Sequence, residues 1–192
     1  MHRTLVSTTL GAALALDGDR LALGAPGADA VVVFRRDGET WREEARLAAP
    51  LERDTTGGIG ARFGQAVAWV GRDLWIGAPA QDGFRGAVHT FRRSAGGAWR
   101  PVSSLDPGPG TDRIGFGWSL AVGPDFVLAG APAMDGGAGG AAVIERGRDG
   151  WGGPVFLPTG IQLRGVASGE VRCVEGEAAG FACGNVDLLS FV

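Results

Sequence analysis

One cassette occurs three times in register, and that repetition constrains the fold more than any other feature of the chain. Phe63 to Pro79 reads FGQAVAWVGRDLWIGAP, and it is matched position for position by LGAALALDGDRLALGAP (Leu10 to Pro26) and FGWSLAVGPDFVLAGAP (Phe116 to Pro132). Gly24, Gly77 and Gly130 of the Gly-Ala-Pro endings stand 53 residues apart, and Gly11, Gly64 and Gly117 keep that spacing. A period of this size marks an array of supersecondary units, none of which can bury its apolar faces alone.

Each cassette is followed by a further apolar run: AVVVF (Ala30–Phe34), AVHTF (Ala87–Phe91) and AAVIE (Ala141–Glu145). A polar turn comes next, then a segment opened by Trp41, Trp99 or Trp151, with Leu47, Leu105 or Leu157 six residues later. One unit is therefore four short strands in about 50 residues, the size and content of a propeller blade. The 35 glycines fall at turns and at fixed offsets, which fits many short strands rather than disorder. Within the first strand, Gly64, Ala66 and Ala68 alternate with Gln65, Val67 and Trp69, and the sister cassettes repeat this small-against-large pattern. Both faces are largely apolar, so both are expected to be buried. A small face lets the large face of the next sheet approach closely.

Beyond Trp151 the pattern blurs. Ile161 to Val174 follows the first two strands and Gly184 to Phe191 the third, after which the chain stops without a fourth. His2 to Thr8 stands where an outer strand would. The reading is all-β: a four-bladed β-propeller in one domain, residues 1–192, with blades at approximately 10–50, 62–107, 115–158 and 160–192. The N-terminal strand His2–Thr8 completes the last blade, which removes an unpaired sheet edge.

The Phe-Gly and Gly-Ala-Pro cassettes resemble the FG-GAP repeat, the blade motif of the integrin α-subunit propeller and of many bacterial relatives. The resemblance covers nearly the whole chain. It implies a propeller serving for binding or adhesion, with ligands on the end of the ring that carries the long loops. Many such blades hold Ca²⁺ in a DxDxDG-type loop between their first two strands. Here those turns are Asp17-Gly18-Asp19-Arg20, Gly71-Arg72-Asp73, Gly123-Pro124-Asp125 and Ser168-Gly169-Glu170. With one or two carboxylates each, they fall short of the six to eight oxygens that Ca²⁺ takes. No metal and no cofactor is expected.

Net charge is −3, all 18 basic residues are arginine, and no basic run occurs, so no nucleic-acid partner is expected. No apolar run approaches the roughly 18 residues of a membrane span. The N-terminal stretch lacks the basic opening of a signal peptide and already belongs to the first cassette. Cytoplasmic residence, or export within a larger assembly, is the corresponding expectation. Cys173 and Cys183 are either a bridge across one hairpin or free buried thiols.

No catalytic motif is present: no GxSxG, HExxH, Walker loop or CxxC. His89, among the apolar residues of a third strand, reads as a packing residue. Trp69, Trp75 and Trp118 read as core. Trp41, Trp99 and Trp151 pack on neighbouring blades or line sugar sites, as repeated tryptophans do in some propeller lectins. Loops at one end of the ring present Asp54, Asp82, Phe84, Arg85, Asp112, Arg113 and Asp135, the candidate ligand rim. The fourth unit places Arg164, Arg172, Glu175 and Asp187 at or near positions that its sister units keep apolar or small. Those charges form either a structural ion-pair network or a polar pocket or subunit interface at that blade. The leading expectation is a non-catalytic module binding a protein or carbohydrate, monomeric or a strand-exchanged homo-oligomer. The alternative is a small lyase- or cyclase-like enzyme with its pocket at the channel mouth or fourth blade.

Overall fold

The computed structural model describes residues 9–50, 60–157, 177–178 and 181–182. The chain divides into two compact units, Met1–Pro158 and Thr159–Val192. In the first unit, β1 (Ala13–Asp17), β2 (Arg20–Ala25), β3 (Ala30–Asp37) and β4 (Thr40–Ala48) form one sheet in sequence order. A second sheet repeats the order with β5 (Ala66–Val70), β6 (Asp73–Ala78), β7 (Ala87–Arg93) and β8 (Trp99–Leu105). The third contains β9 (Leu120–Val122), β10 (Phe126–Ala131) and β11 (Gly140–Gly147), and its outer edge is split into β12 (Gly150–Trp151) and β13 (Val155–Phe156). In the second unit, β14 (Glu177–Ala178) pairs with β15 (Phe181–Ala182). Every pairing between these strands is antiparallel, and an isolated parallel bridge joins Gly86 to Phe116. The fold is all-β, its sheets of consecutive strands consistent with a propeller-like arrangement.

Register explains both the repeat and its breaks. Gly24 pairs with Val31 and Gly77 with Val88, whereas Gly130 pairs with Ala141. The third strand of the third sheet therefore begins at Gly140, one residue before the apolar run that the sequence suggests. Bulges fall at one aligned place, between Val33 and Phe34 and between Thr90 and Phe91. They leave Glu44 and Val102 as the extra residues on the outer strands. The gap between β12 and β13 lies in the corresponding stretch, where Pro154 has no N–H to give to a ladder.

The sheets of the first unit stack small face to large face. Ala22, Val31, Val33 and Leu47 of the first sheet pack with Val67, Leu74, Ile76 and Phe91 of the second, around Phe63. Trp75 and Val88 of the second sheet pack with Val127, Ala129 and Ile144 of the third, around Phe116. Fully burying such side chains stabilises by about 1.5–3 kcal/mol each. Glycine sets the separation. A Cβ on Gly24 would lie 2.0 Å from the Gly64 carbonyl oxygen, and one on Gly77 would lie 1.9 Å from that of Gly117. The Gly-Ala-Pro glycine of one sheet is thus the seat for the Phe-Gly glycine of the next.

Burial of both faces holds for the middle sheet, where β5 is covered on each side. It does not hold for β1, whose Leu14 and Leu16 are 65% and 64% exposed, nor for β9. Those strands lie in the end sheets, and only the middle one has a described sheet against each face. Trp75 is fully buried and Trp69 is half-buried. Trp118, expected in a core strand, instead precedes β9 and is partly exposed, with the Arg62 guanidinium 5.2 Å from its ring centre. The closing strand His2–Thr8, residues Asp54, Arg164, Arg172, Glu175 and Asp187, and both cysteines lie outside the described residues.

Candidate functional site

The first and second sheets leave a pocket between them at the end where the β1–β2 and β5–β6 hairpins turn. Its volume is about 260 Å³, and Asp17, Arg20, Trp69, Gly71, Arg72, Arg93 and Trp99 line it. Two-residue loops supply much of that lining. Asp17 and Arg20 close the first hairpin as a cross-strand pair. Val70 and Asp73 close the second, with Gly71 at φ +59° making the tight turn and leaving Arg72 exposed.

The β4 bulge builds the pocket's charged wall. Strict alternation would send Glu43 and Glu44 to opposite faces, but the extra residue re-aims the strand. Glu44 accepts from Arg20 Nε at 3.0 Å and also from Arg93 Nε, so one carboxylate ties the first sheet to the second. Arg20 further donates to Asp19 Oδ1 at 3.2 Å. Asp19 in turn accepts from Arg35 Nε at 2.8 Å, which holds its carboxyl below the usual range. The side chains of Arg72 and Asp17 have neither a hydrogen bond nor an ion pair among the described residues. The lining carries three arginines against one aspartate, and counting Glu44 the positive surplus remains.

Two indoles form the rest of the wall. Trp69 Nε1 donates to the Ala15 carbonyl at 3.1 Å, fixing β5 against β1. The Trp99 ring centre is 5.8 Å from that of Trp69, at 50°. Trp99 Nε1 is buried without a partner among the described residues, but so is Trp75 Nε1, so an orphaned indole does not distinguish the pocket.

The rim expected from the sequence lies at the opposite end of the sheets, where Arg85, Arg113 and Phe84 are engaged in contacts. Arg85 donates to Asp106 Oδ1 at 3.0 Å and to the Gly108 carbonyl at 2.5 Å. Arg113 sits over the Phe84 ring, 5.9 Å from its centre. Asp82 and Asp135 occupy left-handed positions, φ +50° and +51°, in equivalent turns of the second and third sheets. Asp112 is exposed beside Arg113. The structure thus joins Arg113 to Phe84 and gives Arg85 a partner the sequence did not single out. Among the described residues no three His, Cys, Asp or Glu side chains gather as metal ligands would.

His89 faces the junction of the first two sheets and is fully buried. Its Nε2 lies 2.7 Å from Gln81 Oε1, and its ring packs on Phe63 at 5.7 Å. Burial pushes its pKa down to about 4, with nearby Asp82 pulling weakly the other way. The ring is neutral at pH 7, donates to the amide oxygen, and anchors the turn at Gln81–Phe84.

Reading the sequence left the pocket residues ungrouped. Two signals were available in the aligned units: consecutive glutamates where alternation should hold, and Arg20 at the place of Asp73 and Phe126.

No family model matches the chain, and no curated protein matches it in sequence. Among solved structures it is similar to Saccharomyces cerevisiae Sqt1, at 13% identity and TM-score 0.50, over 79% of this chain and 35% of that one. It is also similar to a putative 6-phosphogluconolactonase from Bacteroides uniformis, at 14% identity and TM-score 0.48, over 73% of this chain and 36% of that one. The chain spans about a third of the length of each. At these identities the first likeness speaks for the fold alone.

Proposed function

We propose that this chain is a non-catalytic ligand-binding module whose seat is the pocket between the first and second sheets. The observation that carries this reading is the pocket itself: two indoles and an arginine unpaired among the described residues, in a cavity open to solvent. Sites of this kind combine apolar walls with a few placed polar groups. His89, the one described strand histidine, is sealed from solvent, so a ligand in the pocket cannot reach it. A glycan and peptide array probed with the wild type, Arg72→Glu and Arg113→Glu tests the seat. Loss of hits with Arg72→Glu and retention with Arg113→Glu is the expected result. The reverse pattern returns the function to the rim.

The scaffold we propose is a four-bladed propeller of the FG-GAP kind, closed by residues 160–192 together with His2–Thr8. Its support is the unfinished contact at each end of the described stack. Gly130 has no Phe-Gly glycine against it among the described residues, and Leu14 and Leu16 have no covering sheet. A monomeric solution mass is expected, with Leu14→Ser costing about 1–3 kcal/mol because the leucine is covered. A dimer, or a cost below about 0.5 kcal/mol, overturns self-closure.

A further inference from the structure

We infer that the pocket takes an acidic sugar, a uronate-like ring that presents one carboxylate together with free hydroxyls. This rests on the reading of the pocket as the ligand seat and specifies what the seat selects.

The pocket's donors and acceptors set what a ligand must bring. Arginine side chains only donate, and the pocket has three of them. Glu44 occupies the Nε of Arg20 and the Nε of Arg93, while the whole Arg72 guanidinium is unclaimed among the described residues. A ligand must therefore bring acceptors, and the surplus charge favours an anionic one; a carboxylate meets a guanidinium fork in a bidentate way. Asp17 adds the opposite requirement. Its carboxylate only accepts, so it needs a donor such as a hydroxyl. A bare inorganic anion satisfies Arg72 and is repelled by Asp17. A neutral sugar satisfies Asp17 but offers Arg72 only hydroxyl acceptors, without the charge-assisted bidentate pair. A hydroxylated acid satisfies both.

Shape points the same way. Trp69 and Trp99 present adjoining indole surfaces, against which the C–H face of a sugar ring packs without needing further polar partners. The cavity, about 260 Å³, lies below the roughly 300–1,000 Å³ of drug-sized sites, so it holds one ring rather than a chain. Its walls come from surface hairpins, and further sugars of a polymer can extend into solvent.

The test is calorimetric titration of the full chain at low salt with digalacturonic acid, with neutral galactobiose and with inorganic sulfate. Digalacturonate is expected to bind at least tenfold more tightly than either of the others. Arg72→Ala should weaken it at least tenfold, and 0.5 M NaCl should weaken it as well. Asp17→Asn gives the decisive sign. If Asp17 holds a hydroxyl, the variant binds digalacturonate more weakly; if Asp17 is only a repelling charge, it binds more tightly and the acid-sugar reading falls. Equal affinity for galactobiose overturns acid selectivity, and the seat stands provided Trp69→Ala abolishes that binding. Digalacturonate binding untouched by Arg72→Ala and Trp69→Ala overturns the seat itself. No heat with any probe overturns the inference, and the array result then decides the seat separately.

Discussion

Between the first and second sheets Gly24 backs onto the Gly64 carbonyl, and between the second and third Gly77 backs onto that of Gly117. Away from the glycines the two junctions diverge. At the second, Trp75 reaches Trp151 of the next sheet, ring centres 5.0 Å apart, and the acid aligned with Arg20 is Asp73, neutralised by Arg92 at 2.5 and 2.7 Å. At the first, Ala22 stands in the place of Trp75, so Trp99 meets Trp69 of its own sheet instead. There the bulge residue is Glu44, where the second junction has Val102. One junction closes as an apolar seam, and the other keeps a charged pocket. The shared part makes the stack, and the unshared part is where a ligand can be selected.

The largest expected effect tests the shared part. Gly24→Ala and Gly77→Ala each place a methyl group about 2 Å from a backbone oxygen that cannot swing away. Each should cost roughly 3 kcal/mol or more, read as a drop in urea midpoint. Among the described residues Gly130→Ala meets only the Ser119 hydroxyl, which can rotate, so a cost as large as the other two would support a further backbone seated on Gly130, as the proposed closure requires. If Gly24→Ala and Gly77→Ala each cost less than about 1 kcal/mol, glycine is serving the strand and not the junction.

The second test is pH. The first junction buries His89, and the aligned residue at the second is Ala142. A histidine whose pKa falls from 6.5 to about 4 on folding binds fewer protons folded than unfolded across that interval. Stability therefore rises with pH from 4 to 6.5 and is flat above, a contribution of about 3 kcal/mol. His89→Val, which copies Val32 of the first sheet, should flatten that slope relative to the wild type in denaturation at pH 7, 6 and 5. An unchanged slope would mean that other groups set the acid sensitivity. The same variant strands Gln81 Oε1, so some loss at pH 7 is expected as well.

How far the sequence carried these features depends on whether they recur. Strand order, the glycine positions and the small-against-large packing recur at fixed spacing, so each copy interprets the others; Gly24 and Gly77 are legible for that reason. The Glu44 bulge, the start of β11 at Gly140 and the exposure of Trp118 each occur once or depend on local backbone geometry. A one-residue slip leaves composition unchanged while exchanging the faces of a strand. The pocket was least legible because its residues come from five strands and one turn, brought together only by stacking. The rim is expected because its loops are long and emerge at one end of the ring, but loop length does not reveal that Arg85 is engaged by Asp106 and Gly108.

The smallest effect separates the junctions most directly. Glu44 is shared by Arg20 of the first sheet and Arg93 of the second, and its side chain is only 11% exposed. Glu44→Gln keeps the volume and removes the charge that both guanidiniums face, leaving two partly buried cations close together. A loss of about 1–2 kcal/mol follows from the charged hydrogen bonds forgone. Added salt should recover part of it, because screening relieves the repulsion between Arg20 and Arg93. Val102→Gln at the aligned place of the second junction touches an exposed side chain and should change stability by less than about 0.5 kcal/mol, with no salt dependence. A Glu44→Gln variant as stable as the wild type at every salt concentration would show that glycine contact and apolar packing hold both junctions. Glu44 would then serve only to shape the charge of the pocket.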